Sequence, residues 1–128
     1  MKRHETPSAR IVLAVYVACF AIGVMSHGGN FWTHGWRPYR SGVMPLDAFW
    51  TALIVLDALV VGLLLTGRRR SGLLLALTIM ALDVAANSYA LFAMGAAHFA
   101  GKLVMQAAFF GFVVGSITFI WPRPETSA

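Results

Sequence analysis

Apolar residues fall into four long runs, at about 11–27, 46–66, 71–94 and 99–121. A helix needs about 20 apolar residues to cross a bilayer core, and each run is of that order. Three connections separate them. The stretch 28–45 is aromatic and glycine-rich. Gly67-Arg68-Arg69-Arg70 is tight and basic, and Gly95-Ala96-Ala97-His98 is tight and nearly neutral. Short connections make successive spans antiparallel neighbours, so the pattern predicts an all-α, integral membrane, up-down four-helix bundle. In this reading 1–10 is a cytoplasmic tail, 11–121 a single transmembrane domain with 28–45 as its outer loop, and 122–128 a second cytoplasmic tail. The first run is the shortest. Its basic start and the small residues near Met25-Ser26 also describe a signal peptide, whose cleavage would leave three spans. No clean small-x-small cleavage site stands out, and a retained helix is expected.

Composition agrees. The chain has 128 residues, enough for one domain; 59% are hydrophobic and 12% charged. Soluble domains average about 45–50% apolar and about 25% charged. The formal charge of +5 is not a nucleic-acid footprint, because the basic residues gather at the ends of the apolar runs. Lys2, Arg3, Arg10, Arg68, Arg69, Arg70 and Arg123 lie on one side, and Arg37, Arg40 and Lys102 on the other. The positive-inside rule then places both termini in the cytoplasm, with the bacterial inner membrane as the expected location. Cys19 is the single cysteine, so neither an internal disulfide nor a cysteine-based metal motif is expected. Met25, Met44, Met94 and Met105 fall near His27, His34 and His98, a set of soft ligands that would suit copper or haem. Their spacing is not diagnostic, and no metal or cofactor is expected.

Two acids interrupt this hydrocarbon. Asp57 and Asp83 lie at the middle of the second and third runs, where an acid costs roughly 2.5–3.5 kcal/mol on insertion scales. At about 1.5 Å of rise per residue the two share a level. Asn87 follows Asp83 by one turn on the same face, and Gln106 in the fourth span reaches the level of Asn87. These four form the candidate pocket for a ligand, cation or proton. Ala76, Ile79, Met80, Ala86, Ala90 and Met94 share the Asp83 face, a small-residue surface of the kind helices use for close approach. His27, His34, Asp47 and His98 lie toward the outer ends and are assigned to the pocket mouth. No Lys or Arg lies at mid-span, so neither acid is expected to find a cationic partner at its own depth. Three states are open: both protonated, one proton shared as a coupled pair, or a bound cation. The plainer alternative is interhelical hydrogen bonding, worth only about 0.6 kcal/mol on average in membrane proteins.

Trp32, Trp36, Arg37, Tyr39 and Arg40 read as interfacial anchors, with rings and guanidiniums at headgroup level. A lid over the cavity is the sharper reading of the same stretch. Ala107, Gly111 and Gly115 recur every four residues, a ridge expected to pack inside the bundle or between protomers. No Ser-His-Asp, H-E-x-x-H or paired-cysteine set occurs, so no reaction class has a motif behind it, and an enzyme is not the favoured reading. The segments Phe49-Trp-Thr-Ala-Leu-Ile-Val-Leu-Asp57 and Asp83-Val-Ala-Ala-Asn87 resemble an uncharacterised family of small bacterial four-span inner-membrane proteins with F-W-x-x-L-x-x-L-D and D-V-A-x-N spans. The resemblance implies the four-span fold and points to Asp57, Asp83 and Asn87; it brings no activity or cofactor. Many such proteins have Pro after the first Asp, where this chain has Ala58. Three functions follow: a membrane protein with an outward-facing polar pocket, an accessory subunit of a larger membrane complex or homo-oligomer, and a small intramembrane enzyme using an Asp as general acid.

Overall fold

The computed structural model describes residues 5–123. Four α-helices run in chain order: α1 (Pro7–His34), α2 (Met44–Leu65), α3 (Arg69–Phe92) and α4 (Ala100–Ile120), the last preceded by a 3-10 turn over Ala97–Phe99. There is no strand among the described residues. All four helices are long and apolar enough to cross a membrane. Each packs on its neighbours in sequence, and the α1 backbone also approaches α4, closing a ring, while the backbones of the diagonal pairs stay apart. The architecture is therefore an up-down bundle, with the 35–43 loop and the 3-10 turn at one end and the α2–α3 turn at the other.

α1 departs from the sequence expectation. It starts at Pro7 under an N-cap from Thr6, whose hydroxyl accepts from the Ala9 amide at 3.2 Å, and it continues through Gly28 and Gly29 to His34. The expected loop at 28–45 thus shrinks to 35–43. Glycine in a helix costs only about 1 kcal/mol relative to alanine, and tertiary packing overrides that. Thr33 adds a bond from its hydroxyl to the Gly29 carbonyl at 2.9 Å. The helix stops at Gly35, whose φ of +75° is open to glycine and strained for other residues. At about 1.5 Å per residue α1 is about 42 Å long, so His27 lies about 10 Å inside its end. The tail residues 1–4 and 124–128, with Lys2 and Arg3 of the charge argument, lie outside the described residues.

The core is a column of Leu53, Val60, Leu73, Ala76, Ile79, Val113 and Ile120, joined by Tyr16 and Phe20 of α1. The exterior is as apolar as the interior: Ile11, Val55, Leu74, Phe92, Val104 and Phe119 are exposed. Such a surface suits lipid, since hydrocarbon leaves no reason to hide an apolar side chain. The Ala107, Gly111 and Gly115 ridge lies on this exposed surface, and a side chain built at Gly111 or Gly115 would meet nothing. It does not pack inside the bundle. In a helix that is apolar all round, spacing alone does not say which face turns inward.

Candidate functional site

The α1–α4 seam is closed at one end and open at the other. Tyr16, fully buried, donates to the Val113 carbonyl at 3.0 Å and shares a 3.1 Å bond with Ser116. Its ring and that of Phe20 pack on Phe109 at 6.2 and 5.6 Å. These contacts fix an antiparallel register that brings Gly23 level with Gln106, and His27 level with Lys102. There the seam parts around a cavity of about 330 Å³, with walls of Phe20, Ile79, Met80 and Phe109. Asp57, Asp83 and Gln106 line it, as do His27, Asn30 and Tyr39 toward the loop end. Its exposed lining residues are Ile22 and Ser26 on α1, and Lys102 and Met105 on α4. The mouth therefore lies between these two helices.

The two acids are held differently. Asp83 accepts from Asn87 Nδ2 at 3.1 Å. The same amide nitrogen donates to Gln106 Oε1, and Asn87 Oδ1 accepts from Trp50 Nε1 at 3.1 Å. Asn87 thus uses both donors and its acceptor, tying α2, α3 and α4 together around Asp83. Asp57 has no hydrogen bond among the described residues, although its side chain is only 8% exposed. Its oxygens are not sealed in protein; they face the cavity. Gly23 of α1 lies directly against it: a methyl group there would overlap Asp57 Oδ2 and stand 3.1 Å from Cγ. Glycine at 23 is what lets the α1 backbone approach the acid.

Asp57 has an imidazole beside it. His27 Nε2 stands 3.8 Å from Asp57 Oδ2, within ion-pair range but beyond a hydrogen bond. His27 reaches the acid because α1 continues past it, which places the imidazole inside the bundle rather than at the mouth. Its other nitrogen faces Tyr39. Tyr39 Oη accepts from Asn30 Nδ2 at 2.8 Å and shares a 2.9 Å bond with His27 Nδ1. When the phenol donates to Nδ1, the ring proton sits on Nε2, on the side of Asp57. Burial pushes the Tyr39 phenol up, which keeps it a donor.

Tyr39 therefore packs inward, on His27 and on the Trp50 ring at 5.6 Å, and is not an interfacial anchor. Trp32, Trp36, Arg37 and Arg40 are exposed near the loop. The other residues assigned to the mouth lie elsewhere. Asp47, in the first turn of α2, accepts from the Ser41 amide at 3.0 Å and hydroxyl at 2.6 Å, pinning the loop. His34 is exposed and bonded to Thr33. His98 packs at a tilt on Phe99 in a separate recess with Pro38 and Met94. Sequence reasoning missed Gly23, Asn30, Ser26 and Lys102, and gave Trp50 no role. A tryptophan buried at a polar level carried the usable signal, since its N–H seeks a partner when buried. Among the described residues no three His, Cys, Asp or Glu side chains gather as a metal-holding group. Comparison with known proteins gives no match to a family model, a curated protein or a solved structure.

Proposed function

We propose that this is an integral protein of the bacterial inner membrane, with both termini in the cytoplasm, whose cavity binds a small ligand carrying a positively charged ammonium group. One observation carries the reading: Asp57 is a buried carboxyl with no hydrogen bond, facing a cavity. A buried acid without a hydrogen bond is costly, and a ligand ammonium supplies charge and donors directly at Asp57. The apolar walls suit the rest of such a ligand, and the volume of about 330 Å³ falls in the range of small-molecule sites. Asp83, already bound by Asn87, shapes the field of the site and holds its wall. His27 adds a donor beside Asp57, oriented by Tyr39. The orientation is supported by the seven basic residues of the tails and the α2–α3 turn against three at the other end.

Calorimetric titration of the protein in lipid nanodiscs with phenethylammonium tests this. Saturable binding is expected, weakened at least tenfold by Asp57→Asn and at least tenfold when 2-phenylethanol replaces the amine. Equal binding of the alcohol, or an unaffected Asp57→Asn variant, would overturn the reading.

The exposed Ala107, Gly111 and Gly115 ridge favours a second reading, contact with another membrane helix or a second copy of the chain. Gly111→Leu would then shift the particle mass measured in detergent by light scattering, and an unchanged mass would count against it.

A further inference from the structure

The way into the cavity bears on what the ligand is. Its exposed lining residues all belong to α1 and α4, with none on α2 or α3. Ile22 and Met105 form the lower rim and are 64% and 75% exposed. Met105 lies about 12 Å from the start of its span at Ala97, well below the loop end. At this depth the bundle exterior is hydrocarbon-like, with Met25 and Val104 exposed beside the rim. Nearer the loop end the mouth changes character. Lys102 lines it there, with its ammonium 5.5 Å from the centre of the Phe99 ring, and His27, Asn30 and Tyr39 are bonded into a plug. A cation arriving from water along the bundle axis meets Lys102 and the Asn30–Tyr39–His27 chain before Asp57. A cation arriving from the side, at the level of Ile22 and Met105, meets apolar side chains first, with Ser26 one turn above Ile22 on the α1 side.

Resting on the reading of Asp57 as an ammonium site, we infer that the ligand is a membrane-dissolved amphiphile with an ammonium head, entering sideways between α1 and α4. Its head lies against Asp57, and its apolar tail leaves through the gap between Ile22 and Met105 into the lipid. A long-chain primary amine has this chemistry. The open seam then has a use that a water-filled site would not require: it lets a tail too long for the cavity remain in the bilayer.

Cys19, the single cysteine, lines the same cavity and serves as a reporter. In nanodiscs its alkylation by N-ethylmaleimide is followed by mass spectrometry with added dodecylammonium, ethylammonium or dodecanol. Dodecylammonium is expected to slow alkylation at least tenfold, with less than a twofold effect from the other two at equal aqueous concentration. Asp57→Asn should remove the protection. Met105→Trp, a change on the exposed rim that the fold tolerates, should slow the onset of protection at least fivefold. If ethylammonium protects as well as dodecylammonium, or Met105→Trp leaves the onset unchanged, lateral entry is overturned while the ammonium site stands. If dodecanol protects as well as dodecylammonium, the ammonium site itself falls, and this inference with it.

Discussion

Replacing Trp50 by Phe and Asn87 by Leu, singly and together, measures whether one interhelical hydrogen bond organises the wall beside the acids. Both residues are buried, and Trp50 Nε1 is the one donor to Asn87 Oδ1 among the described residues, at 3.1 Å. Trp50→Phe orphans that acceptor, at about 1–3 kcal/mol, and also leaves unfilled space. Asn87→Leu removes the acceptor but strips the amide bonds to Asp83 and Gln106 as well. Neither single variant isolates the bond. The double-mutant cycle does, because the private costs of each substitution cancel. Interhelical bonds in membranes average about 0.6 kcal/mol and reach about 1.7. A buried bond of good length, whose acceptor has no alternative donor, belongs in the upper half of that range, so the expected coupling is about 1–1.7 kcal/mol. The assay is reversible unfolding in mixed micelles by dodecyl sulfate titration, read by far-UV circular dichroism because one variant removes a fluorophore. A coupling no larger than the about 0.3–0.5 kcal/mol shown by independent sites would refute the network.

Other substitutions probe the remaining supports. Gly23→Leu forces a side chain into the space of Asp57; overpacking costs about 1–3 kcal/mol, and phenethylammonium affinity should fall at least tenfold with helical content kept. Wild-type affinity would contradict the close approach. Burial holds the Tyr39 phenol above its ordinary value of 10.0. Its contribution to stability is therefore complete below that value and lost as pH rises through the higher folded one. Tyr39→Phe should remove this part of the alkaline loss in dodecyl sulfate unfolding, and an unchanged alkaline profile would show that Tyr39 is not buried as described. Tyr16→Phe frees the hydroxyl clasp on Val113 and Ser116 and should cost about 0.6–1.7 kcal/mol, measured in the same unfolding assay.

The legible parts were those that depend on one helix at a time. Four apolar runs gave four helices, and counting residues along them brought Asn87 and Gln106 to one level, where they now share a hydrogen bond. Asp57 and Asp83 line one cavity, as their shared depth suggested. The illegible parts depend on rotation and register between helices. The outward face of Gly111 and Gly115 could not be read, because both sides of α4 are apolar. Nothing in the sequence marks Gly23, whose role arises only because α2 brings Asp57 against it. The length of α1 was hidden because its last two turns contain glycines, aromatics and histidine, a composition that also describes a loop. That error misjudged the depth of His27 and concealed its approach to Asp57.

Asp57 is the free carboxyl and Asp83 the bound one. The chain has three aspartates, Asp47, Asp57 and Asp83. Carbon-13 labelling of aspartate carboxyls therefore gives three resonances, each assigned by an Asn substitution. Titrating phenethylammonium into the labelled protein in nanodiscs should move the Asp57 resonance, move that of Asp83 less, and leave Asp47 unmoved. A shift at Asp83 with Asp57 unchanged, or no shift at saturating amine, would contradict the account.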